Sequence, residues 1–367
     1  MPPPCFRRDS DTRFVEDPGA ARRIFVDALI NASYNFMEET YLGEQSTEAG
    51  AMDWFLHQDY KYKVVAYGGR IPGTLERMIL CQGFLTAPPE SLDIFPNVSW
   101  KVFQDLQWHV AANDPAFANL AGGMSYHSSY ADEEVLRWTA KLYRHYLIEG
   151  NTQRLSVDPY TLTHLINADF QHGTSNWTLS MATSNSIVPG AVTGYGWLQG
   201  RYFTGGVSRY SKGLTPGGPG STVLVTKRSL RAANRFSQPI KGLRPGRTYS
   251  LKLFAADYDE FLAGVSNPNG VHHFSIEIGG GAQPIETGAI TERFNSAEAG
   301  HTSGPFNRTN GLAVTFARRL FTASGSDGSL VISDWSTKTM PGGAALQRLM
   351  FNFVEVAPYL VDNLTHS

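Results

Sequence analysis

The stretch Gly122–Gly150, GGMSYHSSYADEEVLRWTAKLYRHYLIEG, indicates how the chain is organised. It predicts a short buried strand, a polar turn and a long amphipathic helix with Asp132 as its N-cap. Gly150 is placed to end that helix in a left-handed conformation. The apolar face at helical spacing consists of Val135, Trp138, Leu142 and Tyr146, widened by Leu136, Ala140, Tyr143 and Leu147. The glycine-rich β pattern that follows predicts a second domain.

Upstream of this stretch, helical and strand patterns alternate. We expect strands in 32–42 and 78–85, before the one at 123–128, with helices over about 17–30, 47–67 and 98–118. The last of these helices should break near Asp114-Pro115. Strands that alternate with helices in this way predict parallel βαβ units.

Downstream of Asn167 the pattern changes to short segments separated by turns. Several alternate in polarity, including Leu251, Leu253 and Ala255. This is typical of an antiparallel β-sandwich. We interpret GGGAQPIETGA (279–289) as a loop. The predicted organisation is an irregular segment 1–17, an α/β domain 18–150, a linker 151–166 and a β-sandwich 167–360.

Composition narrows the function classes. The chain has 367 residues, 42% hydrophobic, and a formal net charge of −2, which gives no broad case for binding nucleic acid or an anionic membrane and leaves a local basic patch open. Two cysteines exclude a disulfide framework, and no histidine or cysteine spacing predicts a metal site. No apolar run approaches the roughly 20 residues of a membrane span. As written, the chain lacks a signal peptide and is expected in the cytoplasm; the oligomeric state is not indicated.

Both parts of the chain resemble a family. YNFMEETYL (34–42), AGAMDWF (49–55) and the run 101–150, followed by NADF, GYGWLQGRY, PGRTYSLK, ISDW and FNFVEV, are similar to segments of large bacterial proteins. In these proteins a glycosidase-like (β/α) barrel precedes a galactose-binding-like jelly roll. The resemblance covers the chain from about Asp17 to Leu360 and implies architecture rather than a substrate.

A complete barrel of this kind has eight strands, and the sequence accounts for only the last part of one. The resemblance therefore implies a partial (half) TIM-type β/α barrel followed by an antiparallel jelly roll. Either the chain is an N-terminally truncated product, in which case we expect secretion or display at the cell surface, or the barrel has degenerated.

Carboxylates at strand ends are the catalytic candidates. Glu38 and Glu39 close the first predicted strand, and Asp132 follows the last, with Glu90 as a further choice. Chemistry in such barrels gathers at the carboxyl ends of strands, and glycoside hydrolysis commonly uses two carboxyl groups. The alternative is that the glutamate pair forms ordinary structural ion pairs.

Aromatic and polar side chains supply the candidates for sugar binding. Rings stack on sugar faces, and Arg or His side chains bond to hydroxyls. The candidates are Tyr126, His127 and Tyr130 in the first domain, and Tyr195, Trp197, Arg201 and Tyr202 in the second. Trp108, Trp177 and Trp335 are expected in the core. Arg228, Arg247 and Asp334 either bind a sugar or form structural ion pairs, and the sequence leaves both open. No cofactor is predicted; a structural calcium ion stays open because oxygen-rich turns are abundant.

Two functions therefore follow from the sequence. The first is a glycoside-hydrolase-like protein that acts on or binds polysaccharide. The second is a carbohydrate-binding or cell-surface adhesion module without chemistry, whose helical part is a scaffold. Glu38 or Glu39 would be needed for the first and not for the second.

Overall fold

The computed structural model describes residues 36–40, 47–53, 73, 75–83, 99–126, 133–191, 222–263, 267, 270, 272–295 and 313–360. For 36–40, 82–83, 126 and 294–295 it describes the backbone alone. The chain divides into two compact units between Val157 and Asp158, a point inside the segment predicted as the linker. Ser99 belongs to the second unit.

The first unit is an α/β unit. Its elements are β1 (Phe36–Thr40), α1 (Glu48–Asp53), β2 (Met78–Gly83), α2 (Trp100–Asn113), β3 (Gly122–Tyr126) and α3 (Glu133–Tyr143), with short 3-10 turns at Leu75–Arg77 and Pro115–Phe117. The described strands form a parallel sheet in the order β1-β2-β3. The predicted parallel βαβ pattern is confirmed for these elements. They do not by themselves establish a half barrel.

Helices α2 and α3 pack on the same face of this sheet. A Cβ at Gly123 would overlap the indole ring of Trp108 on α2. Two residues further along β3, the Ser125 hydroxyl is hydrogen-bonded at 2.5 Å to the hydroxyl of Tyr143 on α3. Because alternate residues of a strand lie on one face, both helices cover the same side. A sheet with sequential strand order and helices on one face is the arrangement found in the wall of a β/α barrel.

The stretch Gly122–Gly150 folds as predicted in most respects. Strand β3 ends at Tyr126, and α3 begins at Glu133 and runs on into a π-helical turn, Arg144–Ile148. Gly150 has a φ of +68°. The expected core face is buried: Val135, Trp138, Leu142 and Tyr146 are at most 6% exposed. The prediction that further residues widen this apolar face is wrong at Leu136 and Leu147, which are 43% and 45% exposed.

The second unit is an antiparallel β-sandwich, which confirms the fold class predicted downstream of Asn167. Its elements are β4 (Thr178–Ser180), β5 (Ile187–Ala191), β6 (Thr222–Lys227), β7 (Arg235–Ile240), β8 (Thr248–Asp257), α4 (Tyr258–Ala263), β9 (Ser275–Asn295), β10 (Ala313–Ser333) and β11 (Arg348–Pro358). The order is β4-β7-β10-β8-β11-β6-β5, and β9 also pairs with β10.

A long bent hairpin, β9–β10, belongs to both layers of the sandwich. The first half of β10 pairs with β8 and its second half with β7. Strand β9 pairs with β10 along both halves. The register shifts between Ala323 and Gly328, where the hairpin bends. Gly280 has a φ of +66° there, and a Cβ at Gly281 would overlap the carbonyl oxygen of Asp327. The interpretation of 279–289 as a loop is wrong, because these glycines permit a close backbone approach within a paired strand.

The core lies between the two layers. Phe236 of β7 packs on Phe351 of β11 with ring centroids 5.2 Å apart, although these strands are not paired. Leu251, Leu253 and Ala255 of β8 are fully buried in the same cluster. Trp177 and Trp335, expected in the core, are 6% and 8% exposed.

The segment before β4 is fastened to the sandwich. Arg247 donates to both carboxylate oxygens of Asp158 at 2.5 and 2.7 Å, which confirms a structural ion pair for this arginine. The Gln238 side chain exchanges two hydrogen bonds with the backbone of Ile166. The Asn167 amide donates to two backbone carbonyls of the turn that follows. Residues 158–166 therefore pack as part of the second unit.

Candidate functional site

Three neighbouring strands of the sandwich, β10, β8 and β11, carry charged side chains on the face opposite the core. Arg318 lies beside Lys252 on the adjacent strand, and Lys252 lies beside Glu355 on the next. Side chains directly opposite each other on paired strands are close neighbours, with Cβ atoms about 5 Å apart. The register therefore sets two cations and one carboxylate in a row across three strands.

A second row, of aromatic and amide groups, lies next to the first on the same face. Register pairs Phe316 with Phe254 and Phe254 with Asn352. The two phenylalanine rings have centroids 5.2 Å apart, and Phe353 packs edge-on against Phe254 at 6.4 Å. We call Lys252, Phe254, Phe316, Arg318, Asn352 and Glu355 the polar face.

A bulge in β11 shapes this face. The register with β8 shifts between Asn352 and Glu355, and Phe353 has a φ of +53°. The Asn352 side chain fixes the bulge, because its Oδ1 accepts from the Phe353 N–H at 2.6 Å and its Nδ2 donates to the Thr222 carbonyl at 2.7 Å. Bulges redirect side chains at a sheet face and are common next to functional sites.

The charges of the polar face are largely out of water. Arg318 and Lys252 are 1% and 2% exposed, and Glu355 is half-buried. Arg318 donates to the Gly288 carbonyl at 3.1 Å, and its guanidinium carbon lies 5.8 Å from the centroid of the Tyr359 ring. Burial of charged groups is costly, and such groups are concentrated at functional sites. The face therefore holds N–H donors, a carboxylate and aromatic rings, all of them buried except the half-buried Glu355.

A second buried polar group, at one end of the sandwich, is structural. Arg228 donates to the carbonyl oxygens of Asp334, Pro341 and His273, and burial lowers its pKa. The Asp334 carboxylate accepts from the backbone and the side chain of Asn234 at 3.0 and 2.7 Å, while burial raises its pKa. These bonds join the ends of β6, β7 and β10. Arg228 and Asp334 have structural roles, but the hydrogen bonds run from Arg228 to backbone carbonyls and from Asn234 to the Asp334 carboxylate, not through the predicted side-chain ion pairs.

His272 lies at the same end of the sandwich. It is 3% exposed, its Nδ1 is hydrogen-bonded to the Thr315 hydroxyl at 3.0 Å, and its Nε2 has no hydrogen-bond partner among the described residues. Burial lowers the pKa of His272 to about 4. This histidine is neutral near pH 7.

Charged groups in the α/β unit hold elements together. Lys101 on α2 forms an ion pair with Glu134 on α3, and both side chains are fully buried. The Asp105 carboxylate accepts from the Tyr146 hydroxyl at 2.6 Å and from the Leu155 and Ser156 backbone N–H groups. These satisfied groups fix the helices and the chain that follows them.

The sequence-predicted site residues fall mostly outside the described part of the chain. Glu38 and Glu39 lie in β1, with their backbones paired to Leu80 and Cys81, and Tyr126 ends β3. Their side chains are not among those described, and neither are the residues Glu90, His127, Tyr130, Asp132, Tyr195, Trp197, Arg201 and Tyr202. Their roles stay predictions.

Sequence reasoning missed the polar face. The segment TYSLKLFAADY does place Lys252 and Phe254 opposite Leu251 and Leu253 by alternation. That pattern indicates an ordinary polar side of a strand. The missing information was the register, which sets Arg318, distant in sequence, directly beside Lys252.

Within the described ranges the structure contains neither a metal-binding cluster nor a membrane-spanning helix. No group of three or more His, Cys, Asp or Glu side chains there could hold a metal ion. The helices found in that part of the chain are all too short or too polar to cross a membrane.

No family model and no curated protein matches the chain. Among solved structures, the chain is similar to the enzymatically active domain of tailspike protein 4 from bacteriophage CBA120, at 12% identity and a TM-score of 0.27, over 53% of this chain and 21% of that one. It is also similar to TmCBM61 in complex with β-1,4-galactotriose (8% identity, TM-score 0.26, 54% of this chain and 99% of that one). A CBM4 structure is similar at 11% identity and a TM-score of 0.21, over 53% of this chain and 98% of that one. At these TM-scores the similarities support no conclusion about this chain.

Proposed function

We propose that the chain binds a polysaccharide or other glycan through the polar face of its β-sandwich. The observation that carries the proposal is the row Arg318–Lys252–Glu355 beside the row Phe316–Phe254–Asn352, on the sheet face opposite the core. A sandwich needs one apolar face on each sheet to fold. Buried cations on the opposite face are costly, which is why we assign that face a role beyond folding.

Sugars match this set of groups. Each hydroxyl both donates and accepts hydrogen bonds, so the half-buried Glu355 carboxylate can accept from it, while Arg318 and Lys252, at 1% and 2% exposure, would donate to it once the ligand displaces the groups that cover them. Phenylalanine rings such as Phe254 and Phe316 offer apolar faces to the C–H side of a sugar ring. The residues of the polar face lie on strands and are held more rigidly than loop residues, which reduces the entropy lost on binding.

The direct test is binding of the full chain to a panel of immobilised polysaccharides and oligosaccharides. Lys252→Met, which keeps the side-chain length and removes the charge, and Glu355→Gln should each weaken binding about tenfold or more, as expected for a lost charge-assisted hydrogen bond. Lys241→Met is the matched control, since Lys241 is 57% exposed in a surface ion pair with Asp327.

Two results would overturn the proposal. One is a panel in which no glycan binds to the wild-type chain. The other is binding that Lys252→Met and Glu355→Gln leave equal to that of the Lys241→Met control. Urea unfolding of each variant verifies that it is folded under the binding conditions.

Hydrolysis of glycosidic bonds is the second candidate, favoured by the sequential parallel sheet with both helices on one face. We propose that this sheet is part of a partial β/α barrel. Glu38 or Glu39 would act as acid/base or nucleophile with Asp132 as the second carboxylate. Tyr126, His127 and Tyr130 would contact the substrate near the same strand ends. Tyr195, Trp197, Arg201 and Tyr202 would extend the binding surface of the sandwich.

Aryl glycosides and plant or algal polysaccharides test this activity. Activity in the wild type and its loss in the Glu38→Gln/Glu39→Gln double variant are the expected results. Equal rates in the two proteins would remove the catalytic assignment and leave the binding module.

A further inference from the structure

Three loops meet at one end of the sandwich. They are the β4–β5 loop, the β6–β7 loop and the β10–β11 loop, and the strands that they join pair with one another at their ends. Ile187 at the start of β5 pairs with Thr226 near the end of β6, and Arg348 at the start of β11 pairs with Lys227. This end displays large aliphatic side chains: Leu230 is 53% exposed, Met340 60% and Leu346 64%. We call these three residues the apolar rim.

The apolar rim is held in place by hydrogen bonds. The Leu346 N–H donates to the Arg228 carbonyl at 2.9 Å, and the buried Arg228 guanidinium donates to the Pro341 carbonyl next to Met340. The Trp335 indole N–H donates to the Ser229 carbonyl, beside Leu230, at 2.9 Å. Because both loops are tied to buried side chains, the exposed aliphatic groups are presented by a fixed backbone.

Leu346 combines exposure with an unfavourable backbone conformation. Its φ is +65°, in the left-handed region that costs a residue with a Cβ about 1 kcal/mol. Burial of its side chain does not offset that cost, since the side chain is mostly in water. Backbone strain of this kind persists chiefly where a residue has a role beyond folding.

The surroundings of the apolar rim are basic. In segments 227–235 and 334–348, Lys227, Arg231 and Lys338 are exposed. Asp334, the only acidic residue in these two segments, is 0% exposed. Lys338 reaches a single partly exposed carboxylate, Glu277, at 3.2 Å. Arg348, which ends the second segment, is paired with the exposed Asp259, so Lys227 and Arg231 are the cations that a surface covering the apolar rim would meet.

We propose that the apolar rim is a docking surface for a membrane with anionic headgroups. Leu230, Met340 and Leu346 would enter the boundary between headgroups and acyl chains, while Lys227 and Arg231 contact lipid phosphates and carboxylates. A protein partner fits less well, because protein interfaces favour aromatic residues, methionine and arginine and are depleted in lysine, and the rim and its border match this preference at Met340 and Arg231 but not at Leu230, Leu346 and Lys227. The proposal does not depend on glycan binding, because glycan binding is assigned to the sheet face and membrane docking to these loops.

The test is flotation of the full chain with vesicles of phosphatidylcholine alone and of phosphatidylcholine with about one third phosphatidylserine. Binding to the anionic vesicles is expected. Leu230→Gln/Leu346→Asn should lower the partition coefficient at least about tenfold, because two aliphatic groups no longer leave water. Asn tolerates the left-handed backbone, so the second change does not add strain. Lys227→Gln should weaken binding about fivefold.

Ile166→Gln is the matched control, since Ile166 is 58% exposed and lies outside the apolar rim. Its binding should equal that of the wild type. The proposal is overturned if the anionic vesicles fail to bind the chain, or if the double variant binds like the Ile166→Gln control. It is equally overturned if the chain forms a dimer that the double variant abolishes while vesicles stay unbound, since the occupant is then a second copy.

Discussion

Lowering the pH should destabilise the second unit through His272. The imidazole is 3% exposed and neutral, because burial lowers its pKa to about 4. In the unfolded chain the pKa of a histidine is about 6.5. Between these two values the unfolded state binds a proton that the folded state does not, so stability falls as the pH falls. The charges that act on the ring are those of Asp257, Arg293, His273 and Arg228, and Asp257 alone favours the protonated form.

The size of the effect follows from the two pKa values. They differ by about 2.5, and each unit is worth about 1.4 kcal/mol, so His272 contributes roughly 3 kcal/mol that is present above pH 6.5 and lost by about pH 4. Most of the loss falls between about pH 6.5 and about pH 4.5. This is a large share of the stability of an ordinary domain, about 5–15 kcal/mol.

The assay is urea unfolding followed by tryptophan fluorescence, from about pH 7 to about pH 4.5. His272→Asn keeps a group that can bond to the Thr315 hydroxyl and removes the titration, so its stability should depend less on pH by about 2–3 kcal/mol over this range. Carboxylates and other histidines, such as His164, whose pKa is also lowered by burial, contribute equally to both proteins and cancel. His172→Asn, a change at an exposed histidine that is not among the groups acting on the ring, is the control. A His272→Asn chain with the same pH dependence as the wild type would refute the reasoning.

Three further changes test the packing. Gly281→Ala should lower the free energy of unfolding by about 1–3 kcal/mol, because the new Cβ would overlap a backbone carbonyl at the hairpin bend. Gly325→Ala is the control: its Cβ would meet the nearest atom at 3.7 Å, so its effect should be close to neutral. Equal midpoints of the two variants in thermal unfolding would contradict this. Arg247→Met should cost about 3 kcal/mol or more, because it leaves the Asp158 carboxylate, whose side chain is 3% exposed, without its bidentate partner; a loss within error in urea unfolding would show that the pair is not a stabilising contact. Gly123→Ala should displace an indole ring of α2, seen as a change in near-ultraviolet circular dichroism, and an unchanged spectrum would count against the close approach.

The local sequence pattern predicted those elements in which one face is apolar and the other is polar. Helix α3 shows this, because Trp138 and Leu142 recur at helical spacing and are buried at 1% and 0% exposure. Strand β8 shows the limit of the same reasoning. Its residues from 249 to 256 are buried on both faces, so alternation alone indicated one core face and could not distinguish the second from a solvated one.

The bent hairpin could not be predicted from the local sequence pattern, and the cause is a different one. Glycine clusters usually indicate loops, since glycine loses more conformational freedom than other residues in a strand. Within 279–289, Gly281 lies too close to the carbonyl oxygen of Asp327 for a side chain, and Gly328 on the paired strand β10 lies too close to the Cβ of Ala282. That requirement arises from the pairing of β9 with β10, which is a tertiary fact.

The bend also connects the two proposed surfaces. Strand β10 carries Arg318 in the half that pairs with β8, and it ends at Ser333, directly before Asp334, whose carbonyl accepts from the Arg228 that holds the apolar rim. A slip of one residue in either half would turn every side chain of that half to the other face. Arg318 would then point into the core, and Leu330 and Ile332 would leave it. The register that places the core residues is thus the same register that assembles the polar face, so selection for a stable sandwich also fixes the geometry of its charged row.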